Sequence, residues 1–109
     1  MTQQDKEDPF AIPNGLEIGD EYKVPFGHPK EGNIEITIHI LQEYEGGPPI
    51  RFVNVSHAAL LTKKSRETAG KIIKGVKRHD FSFVGNAKLV RYDDVREAIA
   101  AAHRPKAEK

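Results

Sequence analysis

The chain of 109 residues contains no cysteine. That excludes a disulfide framework and a thiolate metal site, and it suits a reducing compartment such as the cytoplasm. Long hydrophobic runs are also missing. The densest apolar stretch, from Ile34 to Leu41, is interrupted by Glu35, Thr37 and His39, so it is too broken to span a membrane. The first ten residues, MTQQDKEDPF, are polar and acidic, unlike a signal peptide. Catalytic signatures are equally scarce. His28, His39, His57, His79 and His103 are scattered, without HExxH or another ligand spacing. No GxxxxGK[S/T] or GxGxxG loop is present. Ser56 and Ser65 lack a nucleophile-elbow context. Asp93 and Asp94 are adjacent, but helix capping accounts for them. We therefore expect no enzyme activity, no metal and no cofactor.

What is present fits one small α+β domain with tails. The chain is 38% hydrophobic and 30% charged, enough for a modest core. Its net charge of +1 hides a division. Residues 1–50 hold 3 Lys/Arg against 10 Asp/Glu, a net of −7, whereas residues 51–109 hold 14 against 6, a net of +8. Such asymmetry points to a polyanion-facing half and a half with another role.

Residues 1–15 read as a flexible lead, broken by Pro9, Pro13 and Asn14-Gly15, with Phe10 and Ile12 as anchors. Residues 16–32 read as short extended pieces and loops, interrupted by Pro25, Gly27, Pro29 and Gly32. The clearest strand runs from Ile34 to Leu41. Ile34, Ile36, Ile38 and Ile40 share one face at period two. Gly46-Gly47-Pro48-Pro49 turns the chain, and a second strand over residues 50–55 pairs back. This hairpin serves as scaffold. Left at a sheet edge, the Ile-rich strand would instead support a homodimer.

Ser56 is placed to cap a short first helix containing Ala58, Ala59, Leu60 and Leu61. Thr62-Lys63-Lys64 connects it to a second helix capped by Ser65. There Ala69, Ile72, Ile73 and Val76 form one apolar stripe, while Glu67, Lys71, Lys74 and Arg78 lie opposite, with Gly70 beside them. Gly75 is placed to end this helix in the left-handed conformation, just before Lys77 and Arg78. Gly85-Asn86 marks a hairpin tip. A four-residue loop, 85–88, would put Val84 opposite Leu89, Phe83 opposite Val90 and Phe81 opposite Tyr92, giving one aromatic and β-branched face. Asp93-Asp94 opens a last helix with Val95, Ala98, Ile99 and Ala102 along its apolar side. His103 and Arg104 suit its negative end, and Pro105 stops it.

The order of these elements suggests DNA binding. A serine cap and helix dipole favour a phosphate. Arg66, Lys71 and Lys74 have the reach for phosphates or guanine edges, and Glu67 for a cytosine amino group. Gly70 would allow close approach to a surface. Lys63, Lys64, Lys77 and Arg78 flank the helix and extend the basic surface.

Residues 53–103 resemble the excisionase and MerR-type winged-helix family. VSHAALLTKKSRETAGKIIKGV is similar to that family's opening helix, turn and Ser-capped recognition helix. GNAKLVRYDDVREAI is similar to the wing's return strand and Asp-started helix. The resemblance implies a recognition helix over residues 65–74 in the major groove and a wing over 81–92 on the backbone or minor groove. It places Ser65, Arg66, Glu67, Thr68 and Lys71 near bases or phosphates, and Asn86 and Lys88 in the wing. The chain departs from the family in its N-terminal strand region and in lacking the long C-terminal coiled-coil helix of full MerR regulators.

The expected organisation is a lead (1–15), an acidic β-hairpin region packed on the body (16–55), a winged helix-turn-helix (56–104) and a tail (105–109). The expected function is sequence-specific binding of double-stranded DNA by a small cytoplasmic protein of a mobile element such as a plasmid. It would act as an excisionase-like recombination factor, a transcriptional regulator, or a transfer or packaging accessory. The alternative is a protein-interaction module that binds a host complex through its acidic half.

Overall fold

The computed structural model describes residues 9–80 and 88–103. They form a mixed α+β fold with a five-stranded antiparallel sheet and three helices. The strands are β1 (Glu21–His28), β2 (Gly32–Leu41), β3 (Ile50–Asn54), β4 (Arg78–Asp80) and β5 (Lys88–Arg91), in spatial order β1-β2-β3-β5-β4. The helices are α1 (Val55–Leu61), α2 (Arg66–Ile73) and α3 (Tyr92–His103). β3 pairs with both β2 and β5, so one sheet joins the acidic half to the basic half.

Residues 16–32 are more regular than their prolines and glycines suggest. β1 is a continuous strand of eight residues, paired along its length with β2. Pro25 fits for a geometric reason. The Thr37 N–H points away from β1, towards His57, and Glu35 shares that orientation two residues earlier. Pro25 lies opposite Glu35, in a pair that exchanges no backbone hydrogen bonds. A missing donor there loses no ladder bond, and proline on the outermost strand blunts the sheet edge. The turn into β2 ends on Gly32, whose φ of 78° is left-handed and favours glycine.

The four isoleucines of β2 do share a face, with Ile36, Ile38 and Ile40 buried and Ile34 half-buried. β2 lies between β1 and β3, not at the sheet edge. Its isoleucine side chains are committed to the interior, and this removes the basis for a homodimer through this strand. The main core sets Val24, Ile36, Ile38, Val53 and Val90 against helix residues including Ala58, Leu61, Ile73 and Val95. A smaller cluster, Leu41, Phe52 and Leu89 with half-buried Ile50, forms separately. Each such side chain contributes roughly 1.5–3 kcal/mol on full burial.

Phe10 anchors the lead, as its hydrophobicity implies, and Ile12 is half-buried. The Phe10 ring stacks on Tyr92 at 4.8 Å and meets Phe26 edge-on at 6.3 Å. Its carbonyl accepts hydrogen bonds from the Tyr22 hydroxyl (2.6 Å) and from Arg51 Nη1 (3.1 Å).

Two helix ends differ from expectation. Asn54, not Ser56, caps α1: its side chain accepts from the His57 N–H at 2.8 Å. The helix therefore begins directly where β3 ends. Gly75 is not left-handed. Instead α2 passes out through Lys74 in helical conformation, and the Val76 N–H reaches back to the Ile73 carbonyl at 3.0 Å.

The hairpin register also differs. Arg78 pairs with Val90, His79 with Leu89 and Asp80 with Lys88. Leu89 and Val90 thus oppose residues that precede Phe81, and Tyr92 opens α3 rather than ending a strand. The ladder starts at Arg78, with four residues between it and the end of α2 at Ile73, and puts Lys88 opposite Asp80 rather than in a loop. Phe81, Phe83, Val84, Gly85 and Asn86 lie outside the described residues, as do Arg104 and Pro105.

Candidate nucleic-acid interface

Four residues, Thr62 to Ser65, join α1 to α2. Lys63 takes a left-handed φ of 63° within this turn, the one non-glycine residue among those described to do so. The turn is fixed locally. The Thr62 hydroxyl donates to the Ala59 carbonyl at 2.7 Å and accepts from the Lys64 N–H at 3.1 Å. The Lys63 N–H bonds to the Leu60 carbonyl at 3.1 Å. Thr62 is itself buried, so its hydroxyl needs these partners. The Lys63 ammonium lies 5.6 Å from the centre of the Phe26 ring.

Ser65 caps α2 as its position implies. Its hydroxyl oxygen accepts from the Thr68 N–H at 3.4 Å and contacts the Thr68 hydroxyl at 3.2 Å. Ala69 and Ile73 are buried, with Ile72 half-buried. This fixes the rotation of the helix and leaves Arg66, Glu67, Thr68, Lys71 and Lys74 exposed. At about 100° per residue, Arg66 and Gly70 mark one edge of α2 and Lys71 another, roughly 100–140° away, with Lys74 between them.

Those two edges of α2 face different surroundings. Arg66, Ala69, Gly70 and Ile73 line a groove of about 540 Å³. Its opposite wall is α1, through Val55, Ser56, Ala59 and Leu60, and Lys64 and Ser65 also line it. A recess beside it is lined by Asn54, Val55, Ser56, Arg78 and Lys88. The two share Val55, Ser56 and Arg78, so Lys64, Ser65 and Arg66 line one recess, Lys88 the adjacent one, and Arg78 both. Lys71 and Lys74 do not line it. Lys77 lines a separate recess with Asp94 and Glu97 of α3.

Several of these cations have structural contacts. Arg78 Nη1 reaches the Lys74 and Val76 carbonyls at 3.5 and 3.4 Å, long contacts that neutralise the carboxyl-terminal end of α2. Lys88 pairs with Asp80 at 3.2 Å across the strands. Both groups are more than half exposed, so the pair contributes about 0–1 kcal/mol. Lys64, Arg66, Lys71 and Lys74 pair with no carboxylate among the described residues.

The acidic half also reaches this site. His28 and Lys30, from the β1–β2 turn, line the groove. His28 is buried, and its Nδ1 accepts from the Lys30 and Glu31 N–H groups at 3.0 Å each. No local sequence signal places this turn beside the helices. Only the sheet order does so.

Elsewhere, burial pushes His39, His57 and His79 below the ordinary histidine range. Glu21, 3.5 Å from His39, partly opposes that shift. For His57, neighbouring His39 adds to it. His57 Nδ1 accepts the Thr37 N–H at 3.2 Å, a bond available only to the unprotonated nitrogen. No three histidine or acidic side chains converge as a metal-binding group among the described residues, and no helix among them is long and apolar enough to cross a membrane. Comparisons of the chain with protein families, with curated proteins and with solved structures returned no match.

Proposed function

We propose that this protein binds double-stranded DNA as a winged helix-turn-helix, with α2 as the reading helix and β4–β5 as the strands of the wing. One observation carries this reading. A short helix, a four-residue turn and a Ser65-capped helix precede the paired strands β4 and β5, and Lys64, Arg66, Lys71 and Lys74 are exposed and pair with no carboxylate among the described residues. That order supports a helix presented to a groove and flanked by a hairpin. The resemblance of residues 53–103 to excisionase and MerR-type proteins is consistent with it. It extends the proposal to a sequence-specific factor of a mobile element.

In this reading Ser65, Arg66 and the first-turn amides meet the backbone. Lys71 and Lys74 meet phosphates or guanine edges, and Glu67 discriminates by accepting from cytosine. Lys88 adds charge from the wing. The role is binding, not catalysis. Selection of bound duplexes from a random pool tests it: enrichment of a defined site is expected, and loss of that enrichment with Arg66→Ala or Lys71→Ala. A pool that remains random would overturn sequence specificity.

A further inference from the structure

Nothing inside the fold accounts for Gly70. Its backbone is not left-handed, and a Cβ placed there meets no atom within 4 Å. A helix-interior glycine costs about 1 kcal/mol relative to alanine. What its missing side chain does is keep the α1–α2 groove open beside Arg66. Lys71 and Lys74 do not line it.

The groove combines two chemistries. Its walls are aliphatic, from Val55, Leu60 and Ile73. Its rim is cationic, from Lys30, Lys64 and Arg66, with Glu31 the single carboxylate among the lining residues. These three cations pair with no carboxylate among the described residues. At the β1–β2 end stands His28, 7% exposed, whose buried Nε2 has no hydrogen-bond partner among the described residues. A sugar-phosphate backbone offers only deoxyribose C–H groups and brings no aliphatic side chain to cover these walls. A peptide that alternates aliphatic and acidic side chains satisfies both walls and rim.

We propose that the α1–α2 groove docks an acidic, amphipathic segment of a partner protein. Its aliphatic side chains lie against Val55, Leu60 and Ile73, and its carboxylates against Lys30, Lys64 and Arg66. The site is additional to duplex binding and does not require it. Lys64 and Arg66 belong to both surfaces, so the segment and a duplex compete for them.

The test is selection of short random peptides displayed against the nuclease-treated full-length protein. Selected peptides are then titrated by fluorescence anisotropy. Enrichment of peptides with Asp and Glu around Leu, Ile or Phe is expected. Gly70→Leu fills the groove and should weaken their binding about tenfold or more. Its helix content and melting temperature should be no lower than wild type, because leucine is the better helix former, so lost binding is not lost folding. Lys64→Glu with Arg66→Glu should weaken it comparably. Any of four results overturns the proposal: no enrichment, enrichment of basic peptides, affinity indifferent to Gly70→Leu, or binding that appears only after residues 1–8 are removed. The last would make the chain's own acidic segment the occupant. If Gly70→Leu weakens a random duplex while no peptide is enriched, the groove is a nucleic-acid surface instead.

Discussion

Arg51 Nη2 meets Asp93 Oδ1 at 2.8 Å, joining the third strand of the sheet to the first turn of α3. The same guanidinium lies 4.6 Å from the centre of the Tyr92 ring and donates to the Phe10 carbonyl. One side chain therefore holds the lead, the sheet and the last helix together. Asp93 also benefits from the positive end of the α3 dipole. Because Asp93 is more than half exposed, the ion pair itself is discounted for solvent screening. Arg51→Ala should lower stability by about 1–2 kcal/mol through the lost charge-assisted bonds and ring contact. Urea unfolding measures this. A change below about 0.5 kcal/mol would show that the contacts are replaced by water without loss.

Lys63 offers a separable test of backbone and side chain. Lys63→Ala and Lys63→Gly both remove the ammonium from Phe26, but only glycine relieves the φ of 63°. The glycine variant should be more stable than the alanine variant by about 1 kcal/mol. Equal thermal midpoints would indicate a turn able to relax out of the left-handed region.

The start of α1 distinguishes two caps. Asn54→Ala should cost about 1 kcal/mol, whereas Ser56→Ala should stay within about 0.5 kcal/mol. The reverse order in chemical denaturation would restore Ser56 as the cap.

The particular contrasts between sequence and structure have physical causes. Ser65, the apolar stripe of α2 and the isoleucine face of β2 were legible because each follows from local periodicity or a local hydrogen bond. Asn54 was missed because β3 runs into α1 with no intervening loop, so the cap sits inside what reads as a strand. The continuity of β1 was not legible, because the tolerance of Pro25 depends on which edge of the sheet its nitrogen faces, a property of pairing. The β4–β5 register was not legible either, since it pairs Leu89 and Val90 with His79 and Arg78, polar residues that lie before the aromatic run. At the candidate site, Lys64, Ser65 and Arg66 are local to the helix-turn-helix segment and line the groove. His28 and Lys30 arrive through the sheet from a distant part of the chain.

Acid should weaken the fold through three histidines. Burial lowers the folded-state affinity of His39, His57 and His79 for protons, so the unfolded chain binds more protons below its own value of about 6.5. The associated stability is complete above that value and is lost as pH falls towards the lowered folded values. Melting temperature should drop on acidification from about pH 7 to 5. His57→Gln should reduce the slope, because it removes the imidazole that accepts the Thr37 N–H. An identical slope in the variant would remove His57 from the effect.

The duplex-binding reading stands or falls on electrostatics. Lys64, Arg66, Lys71 and Lys74 would displace counterions from phosphates, making affinity fall steeply with salt. The most direct measurement is fluorescence anisotropy of a labelled duplex against salt concentration, for wild type and for Arg66→Ala and Lys71→Ala. The account predicts tight binding at low salt, a steep linear decline of log affinity with log salt, and a shallower slope by about one for each phosphate-contacting cation removed. Absence of binding at low salt, or an affinity indifferent to salt and to both substitutions, would contradict it.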